Sequence, residues 1–302
     1  MNFKSKEVRM SKFFIKKTEK KPRAAIFLSG NGSDTEKILS DFAEHKDLRH
    51  WIPSVLVTDR PKTSRAAEIA GKYGLPLVEH GIAAFYRSHG SDKVTVATAE
   101  GRRIRELWTA ALLEKLRPFD LDFAVLAGFI TLTNIAAVLP CLNVHPGDLT
   151  YEKDGRRLLT GLHTVPIELA ILEGLDHLRC SVILVRPFSG KADEVDSGHI
   201  LGISEKMPLD LRGHSPEELR AIFRSRTHGH FHGANRDLLF DLANHNQELL
   251  KSASDHVVYH RVIDDFAAGM FTESGSGALL YRDKPVKTVE YRADGTCVPI
   301  PL

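Results

Sequence analysis

The sequence has little of what would mark a membrane, nucleic-acid-binding or disulfide-stabilised protein. It holds only three cysteines in 302 residues, with no paired spacing. We therefore expect reduced, structural thiols and a cytoplasmic location. No apolar run approaches the roughly 18–20 residues that a membrane span needs. The net charge is only +2, and Lys and Arg are scattered beyond residue 22, so neither a membrane nor nucleic acid is the expected partner.

The remaining composition is that of an ordinary globular protein, with 42% hydrophobic and 26% charged residues. Residues 1–22 differ, because they are rich in Lys and Arg with only Glu7 and Glu19 against them. They have no apolar stretch long enough for a secretory signal. We predict that residues 1–22 are a mobile basic extension and that residues 23–302 form a single domain. Association into a homodimer stays open.

Short apolar runs alternate with segments of helical spacing. Strands are predicted at 24–28, 53–58, 75–78, 123–127 and 180–185, and helices at 34–45, 64–73, 101–116 and 163–173. This alternation predicts an α/β fold with a doubly wound, mostly parallel sheet. Further helices are predicted from Ser215, near 237–251 and at 256–270. A C-terminal hairpin is predicted to pair 278–281 with 286–291.

Polar residues stand where predicted strands end. Asn143 and His145 lie two residues apart in Leu142–Pro146, so they share one side of a strand. Asp196 lies in a second segment, Val195–Gly198. Open α/β sheets place their chemistry at such strand ends, and an amide, an imidazole and a carboxylate can stabilise an oxyanion in acyl or formyl transfer. The alternative is a polar strand end with satisfied hydrogen bonds, with Asp196 as a turn residue.

A glycine turn follows the first predicted strand. Gly30, Asn31, Gly32 and Ser33 precede a helix, whose free N–H groups favour an anion. A tight turn needs glycine as well, and Asp34 in the first helical turn would repel a phosphate. The three-glycine dinucleotide fingerprint is absent.

The histidine-rich run Thr227–His232 could suggest a metal site. No carboxylate or cysteine follows at a recurring ligand spacing, so we predict a polar loop and no metal. His163 opens a predicted helix and is expected to face the same cleft as His145.

Four blocks occur in an order that carries a family likeness. They are Ser29–Ser33, Val125–Phe129, Leu142–Pro146 with Gly161–Thr164, and Ser181–Val182 followed by Val195–Gly198. The chain resembles the folate-dependent formyltransferase superfamily over about residues 23–290. Residues 23–302 are then a formyltransferase-like catalytic domain, with a helical insertion at about 207–244.

The resemblance implies 10-formyltetrahydrofolate as formyl donor and an amine as acceptor, with glycinamide ribonucleotide of purine biosynthesis as the first candidate. Asn143 and the His145 imidazolium would donate to the oxyanion, and Asp196 would keep His145 protonated. It implies substrate phosphate contacts by Gly30, Asn31, Gly32, Ser33 and Arg87, other substrate contacts by His163 and Glu248, and folate contacts by Leu126, Phe129, Ile130 and Val195.

The sequence also departs from this family's pattern around the expected acceptor. Asp34 stands where the family usually has Asn, and Asp148 adds a carboxylate near His145. The segment Thr150–Thr160 is longer and more charged. These departures leave open a different amine such as an amino sugar nucleotide, water as acceptor, or a non-catalytic folate- or nucleotide-binding regulator.

Overall fold

The computed structural model describes residues 12–16, 18–188, 196–227, 229 and 236–302. The strands are β1 (Lys12–Phe13), β2 (Arg23–Leu28), β3 (Ile52–Thr58), β4 (Leu77–Glu79), β5 (Phe123–Leu126), β6 (Cys141–His145), β7 (Glu152–Lys153), β8 (Arg156–Arg157), β9 (His177–Leu178), β10 (Ser181–Leu184), β11 (Ile200–Ser204), β12 (Met207–Pro208), β13 (Phe271–Glu273), β14 (Leu279–Tyr281), β15 (Lys284–Pro285), β16 (Thr288–Tyr291) and β17 (Cys297–Ile300). The α-helices are α1 (Ser33–Glu44), α2 (Ala66–Tyr73), α3 (Ile82–Ser88), α4 (Ala99–Leu116), α5 (Val165–Glu173), α6 (Pro216–Ser225), α7 (Leu238–Leu250) and α8 (His256–Ala267). A π-helical turn, Lys251–Asp255, joins α7 to α8.

The main sheet has nine strands in the order β17-β16-β11-β10-β6-β5-β2-β3-β4. The strands from β4 to β6 are parallel, whereas β10 runs antiparallel to both β6 and β11. The chain leaves β2 toward β3 and β4, then returns to β5 on the other side of β2. The switch point therefore lies between β2 and β5, where such sheets form a ligand crevice.

Alternate residues of the central strands enter two separate cores. In β2, Ile26 and Leu28 pack with α1 and α8, whereas Ala25 and Phe27 pack with α3 and α4. The near-continuous burial of β2 and β5 is expected for parallel strands covered on both faces. The predicted α/β fold with a doubly wound, mostly parallel sheet is confirmed.

The described part of the N-terminal extension is bound to the domain. Lys12 and Phe13 pair antiparallel with β13, which adds β1 to a small sheet of order β1-β13-β14-β15. Ile15 is buried, and Phe14 stacks on Phe266 with ring centroids 5.9 Å apart. Apolar burial on this scale holds the segment in place. Residues 12–16 therefore lie against the domain, and the mobility of the extension stays a prediction.

The C-terminal strands pair differently from the prediction. β14 forms a tight hairpin with β15, whereas β16 lies parallel to β11 in the main sheet and antiparallel to β17. The predicted pairing of 278–281 with 286–291 is wrong, because Val289 and Tyr291 complete the main core instead.

The segment expected as an insertion is helical and packs against α5. Its helices α6 and α7 are joined to α5 by buried Arg226, whose guanidinium lies 2.7 Å from both Glu168 and Asp237. The expected boundary near residue 244 falls inside α7, which continues to Leu250. The helices are thus integrated with the elements that follow them.

The three cysteines are free. Cys141 and Cys180 are fully buried, and burial raises the pKa of both thiols. A protonated, enclosed thiol is a poor nucleophile, so both are packing residues as expected.

Candidate active site

A cavity of about 280 Å³ lies where β2, β5 and β6 end. Its described walls are the turn 30–34, residues 127–130, residues 143–146, the loop 161–163, Asp196, and Gln247, Lys251 and Asp255 from the α7–α8 region. We call this the first cavity. The Ser29 side chain joins the turn after β2 to the loop after β5, because its hydroxyl accepts from the Ile130 N–H at 3.1 Å. The cavity therefore occupies the switch point of the sheet.

His145 is held by two partners inside the protein. Its Nε2 lies 2.7 Å from the Leu159 carbonyl oxygen, so Nε2 must carry a hydrogen. Its Nδ1 lies 3.5 Å from the Asp196 carboxylate, and both side chains are less than one-tenth exposed. A proton on Nδ1 as well would give an imidazolium facing a carboxylate. Since both ring nitrogens have partners, the expected direct donation to an oxyanion is not made in this arrangement.

Asp196 is fixed in a left-handed backbone conformation, with φ at 61°. Its carboxylate accepts from the Gly161 N–H at 3.3 Å. The Arg157 guanidinium donates to the Asp196 carbonyl and, at 2.9 Å, to the Gly198 carbonyl. Arg157 therefore holds the loop that carries Asp196, a role that the sequence did not reveal.

Asn143 lies at the junction of the first cavity with a second one of about 100 Å³. Tyr259 supports this point from α8, because its hydroxyl lies 2.8 Å from the Leu142 carbonyl and 3.2 Å from the Leu126 carbonyl. Within the described residues, the Asn143 side chain makes no hydrogen bond. Its amide is therefore available to a ligand.

The second cavity has mainly apolar walls. Leu126, Phe129 and Ile130 line it, together with Ile183 and Val185. These include three of the four residues expected to contact folate. The fourth, Val195, lies outside the described residues.

The turn Gly30–Ser33 lines the first cavity, as expected. Gly32 has a left-handed φ of 70°, and a Cβ there would lie only 2.6 Å from the Ile69 side chain. The Asn31 side chain accepts from the Ser33 N–H at 3.3 Å, so one of the free amides at the start of α1 already has a partner. The conformation of the turn therefore requires glycine at position 32, independently of any ligand in the cavity.

Two residues expected to contact the substrate, Arg87 and Glu248, lie outside the described walls of the first cavity. Arg87 is exposed on α3 and does not line the cavity. Arg65 is beside the turn instead, since its Nη1 donates to the Asn31 carbonyl at 3.1 Å. Glu248 lies outside the cavity wall and pairs with Lys251 at 2.6 Å. Helix α7 presents Gln247 to the cavity. The neighbouring Glu248 side chain points elsewhere and is 71% exposed.

His163 does line the first cavity, with a left-handed φ of 56°. Asp148 has a local role. It accepts from the Thr150 N–H at 2.9 Å and from the Thr150 hydroxyl, which closes a turn after β6. The Asp148 carboxylate, which was expected near His145, therefore forms its hydrogen bonds within its own loop.

An acidic pair in the first cavity was not predicted. Asp34 and Asp255 both line it, and the Oδ1 atom of each is buried without a hydrogen-bond partner. His256 Nε2 lies 3.5 Å from Asp34 Oδ1. Burial and then the charge of Asp34 raise the pKa of Asp255 well above its ordinary value. These residues are distant in sequence, so no local pattern could have indicated their meeting.

Within the described residues, no cluster of three or more His, Cys, Asp or Glu side chains is arranged to hold a metal ion. His228, His230 and His232 of the predicted polar loop lie outside those residues. No helix in the described ranges is long and apolar enough to cross a membrane.

No family model and no curated protein sequence matches the chain. Solved structures do match it. The phosphoribosylglycinamide formyltransferase of Coxiella burnetii, in complex with CHES, has a TM-score of 0.57 at 17% identity, covering 89% of this chain and 99% of that one. Glycinamide ribonucleotide transformylase 1 of Symbiobacterium toebii has a TM-score of 0.56 at 20% identity, covering 87% and 95%. The phosphoribosylglycinamide formyltransferase of Brucella melitensis has 0.52 at 23%, covering 83% and 98%. At these identities the likeness shows the fold alone, which this chain shares with these formyltransferase structures.

Proposed function

We propose that this protein transfers a formyl group from 10-formyltetrahydrofolate to an amine. The observation that carries the proposal is the meeting of Asn143, His145 and Asp196 at the switch point, where two cavities join. An amide donor, a ring beside a carboxylate and two adjoining binding spaces are what a bimolecular acyl transfer requires.

Asn143 is the proposed oxyanion donor. When the amine attacks the formyl carbon, the formyl oxygen becomes negatively charged in the tetrahedral intermediate. A pre-positioned amide N–H stabilises that charge more than it stabilises the neutral carbonyl. The position of Asn143 between the cavities fits a reacting carbon that belongs to one ligand and is attacked by the other.

His145 and Asp196 form the proposed charge and proton-transfer pair. An imidazolium at His145 would add positive charge beside the intermediate, while its ring stays bonded to Leu159. Asp196 would accept the proton that the attacking nitrogen loses, directly or through one water. That proton would then pass to the departing folate nitrogen, so the reaction conserves protons and needs no external base.

The second cavity is the proposed folate site. Leu126, Phe129 and Ile130 give it the apolar walls that a flat, aromatic pterin needs. The acceptor amine would then enter through the first cavity, beside Gly30–Ser33 and His163. The superfamily fold makes glycinamide ribonucleotide the first acceptor to try, and the acidic pair Asp34 and Asp255 favours a different amine.

The test is release of folate from a 10-formyl folate donor, followed by absorbance, with glycinamide ribonucleotide, other amines or water as acceptor. Asn143→Ala should lower the rate by about 10²–10³-fold, the usual loss for one oxyanion donor. Asn244→Ala is the matched control, because among the described residues the Asn244 side chain donates within α7, to the Phe240 carbonyl at 3.1 Å. A loss of less than about tenfold in Asn143→Ala would remove the assigned role. Donor binding without any release would instead indicate a regulator.

A further inference from the structure

The first cavity has an acidic lining. Among its described residues are three carboxyl groups, Asp34, Asp196 and Asp255, and a single ammonium group, Lys251. The Asp196 carboxylate already has a partner, because it lies 3.5 Å from His145 Nδ1. Asp34 and Asp255 remain at the end of the cavity beside the glycine turn, where the superfamily resemblance placed a substrate phosphate.

The Asp34 and Asp255 carboxyls are incompletely satisfied by the protein. The Asp255 residue is 6% exposed, and its Oδ1 atom is buried without a hydrogen-bond partner. Asp34 Oδ1 is also buried without a hydrogen-bond partner, and His256 Nε2 lies 3.5 Å from it. An unpaired buried carboxyl oxygen costs stability, and a donor brought by a ligand would remove that cost.

The arginine and the lysine near the turn form ion pairs with carboxylates other than those of Asp34 and Asp255. Arg65 lies 2.8 Å from Glu36 and also pairs with Glu68. Lys251 pairs with Glu248 at 2.6 Å. In the described part of the site, no arginine or lysine without a carboxylate partner is available to bind a phosphate. A phosphate at the glycine turn would instead lie beside the carboxyl groups of Asp34 and Asp255.

We propose that the acceptor is an amine carrying a second positive charge, an ammonium or guanidinium group that binds at Asp34 and Asp255. This inference rests on the proposed function, since it names the acceptor class of the same site. The reacting amine would lie beside Asn143 and Asp196, and the distal cation beside the glycine turn. A diamine or a basic amino acid has this chemistry, whereas a phosphate monoester presents the wrong charge.

Selectivity should be measurable with one matched series of ligands. α,ω-Diamines of three to six carbons, the amino alcohols and the aminoalkyl phosphates of the same lengths share the reacting amine and differ only in the distal group. Calorimetry on the full chain gives the Kd of each. The best diamine should bind at least about tenfold more tightly than its phosphate counterpart, because a partly buried unit charge pair is worth that much or more.

Two variants locate the selectivity. Asp34→Asn and Asp255→Asn keep the side-chain shape and remove an acidic group. A bound cation favours the ionised form of Asp255 and opposes the burial that raises its pKa, so each change should reduce the diamine preference about tenfold. Glu44→Gln makes the same change at the exposed end of α1 and should leave the preference unchanged. Thermal unfolding checks that each variant is folded.

The outcomes separate this inference from the proposed function. Tighter or equal binding of the aminoalkyl phosphate, or no diamine binding at millimolar concentration, overturns the inference. The same holds if folate release requires a phosphate-bearing acceptor, although formyl transfer itself would then stand. Diamine-selective binding that depends on Asp34, without folate release from any donor and acceptor pair, would retain the cation site and reject formyl transfer.

Discussion

Replacing Gly147 with alanine should disturb His145 through a single methyl group. A Cβ built on Gly147 lies 2.6 Å from the Leu159 carbonyl oxygen, 2.9 Å from Pro166 Cβ and 3.0 Å from His145 Nε2. The Leu159 oxygen is the one that accepts from His145, at 2.7 Å. Because that oxygen belongs to the backbone, it cannot rotate away as the end of a side chain could.

The size of the effect follows from these contacts. A carbon and an oxygen need roughly 3.5 Å between them, so the Leu159 carbonyl or the His145 ring must move by about 0.5–1 Å. Overpacking of this kind costs about 1–3 kcal/mol of unfolding free energy. A displacement near 1 Å at a reacting group lowers rate about 10²-fold. We therefore expect both losses in Gly147→Ala.

The two losses are measured separately, by urea unfolding and by folate release at a temperature where the variant is folded. Gly71→Ala is the matched control, because a Cβ at Gly71 meets nothing within 4 Å and the residue lies inside α2. Alanine should stabilise this helix by about 0.5–1 kcal/mol and leave the rate unchanged. A folded Gly147→Ala protein with the wild-type rate would refute the role given to the His145–Leu159 contact.

Two further predictions concern buried charges away from the reacting groups. Arg226→Met should lower the unfolding free energy by about 3–5 kcal/mol, because it removes the guanidinium that lies 2.7 Å from the buried Glu168 carboxylate. Arg117→Met removes an exposed pair and should cost under about 1 kcal/mol in the same urea titration. Asp255→Asn should gain stability relative to wild type as pH rises from about 4 to about 8. The raised pKa of Asp255 means that the unfolded chain releases this proton first, which lowers wild-type stability above the ordinary value of 3.8.

Each of these has a clear contrary result. Equal losses in Arg226→Met and Arg117→Met would mean that the buried ion pair adds nothing beyond a surface pair. A stability difference between Asp255→Asn and wild type that is constant with pH would mean that Asp255 is already ionised in the folded protein.

The sheet and the candidate catalytic residues could be predicted because their signals are local. Alternating apolar runs indicate buried parallel strands, and the spacing of Asn143 and His145 puts both on one side of β6. The short strands are harder to predict from the sequence. β1 has only two residues and is defined by pairing with β13, some 260 positions later in the chain. A pattern within one segment carries no information about such a partner.

The substrate side of the site was predicted less well for the same reason. Arg65 lies between β3 and α2, whereas Arg87 lies near the end of α3, after β4. Nothing in their neighbouring residues indicates which of them is near the glycine turn. The structure does, because only Arg65 contacts the glycine turn. Asp255 looks like an ordinary polar residue between α7 and α8. Its raised pKa comes from burial and from the charge of Asp34, which lies on α1.

The two cavities share walls, since Phe129, Ile130, Asn143, Leu162 and Asp196 line both. A formyl group held at this shared wall can be reached by the acceptor without leaving its donor. The proposed formyl transfer therefore needs no formylated intermediate, and initial-rate plots for donor and acceptor should intersect and not run parallel. It also follows that a compound spanning both cavities would compete with both substrates, and would gain affinity from each half.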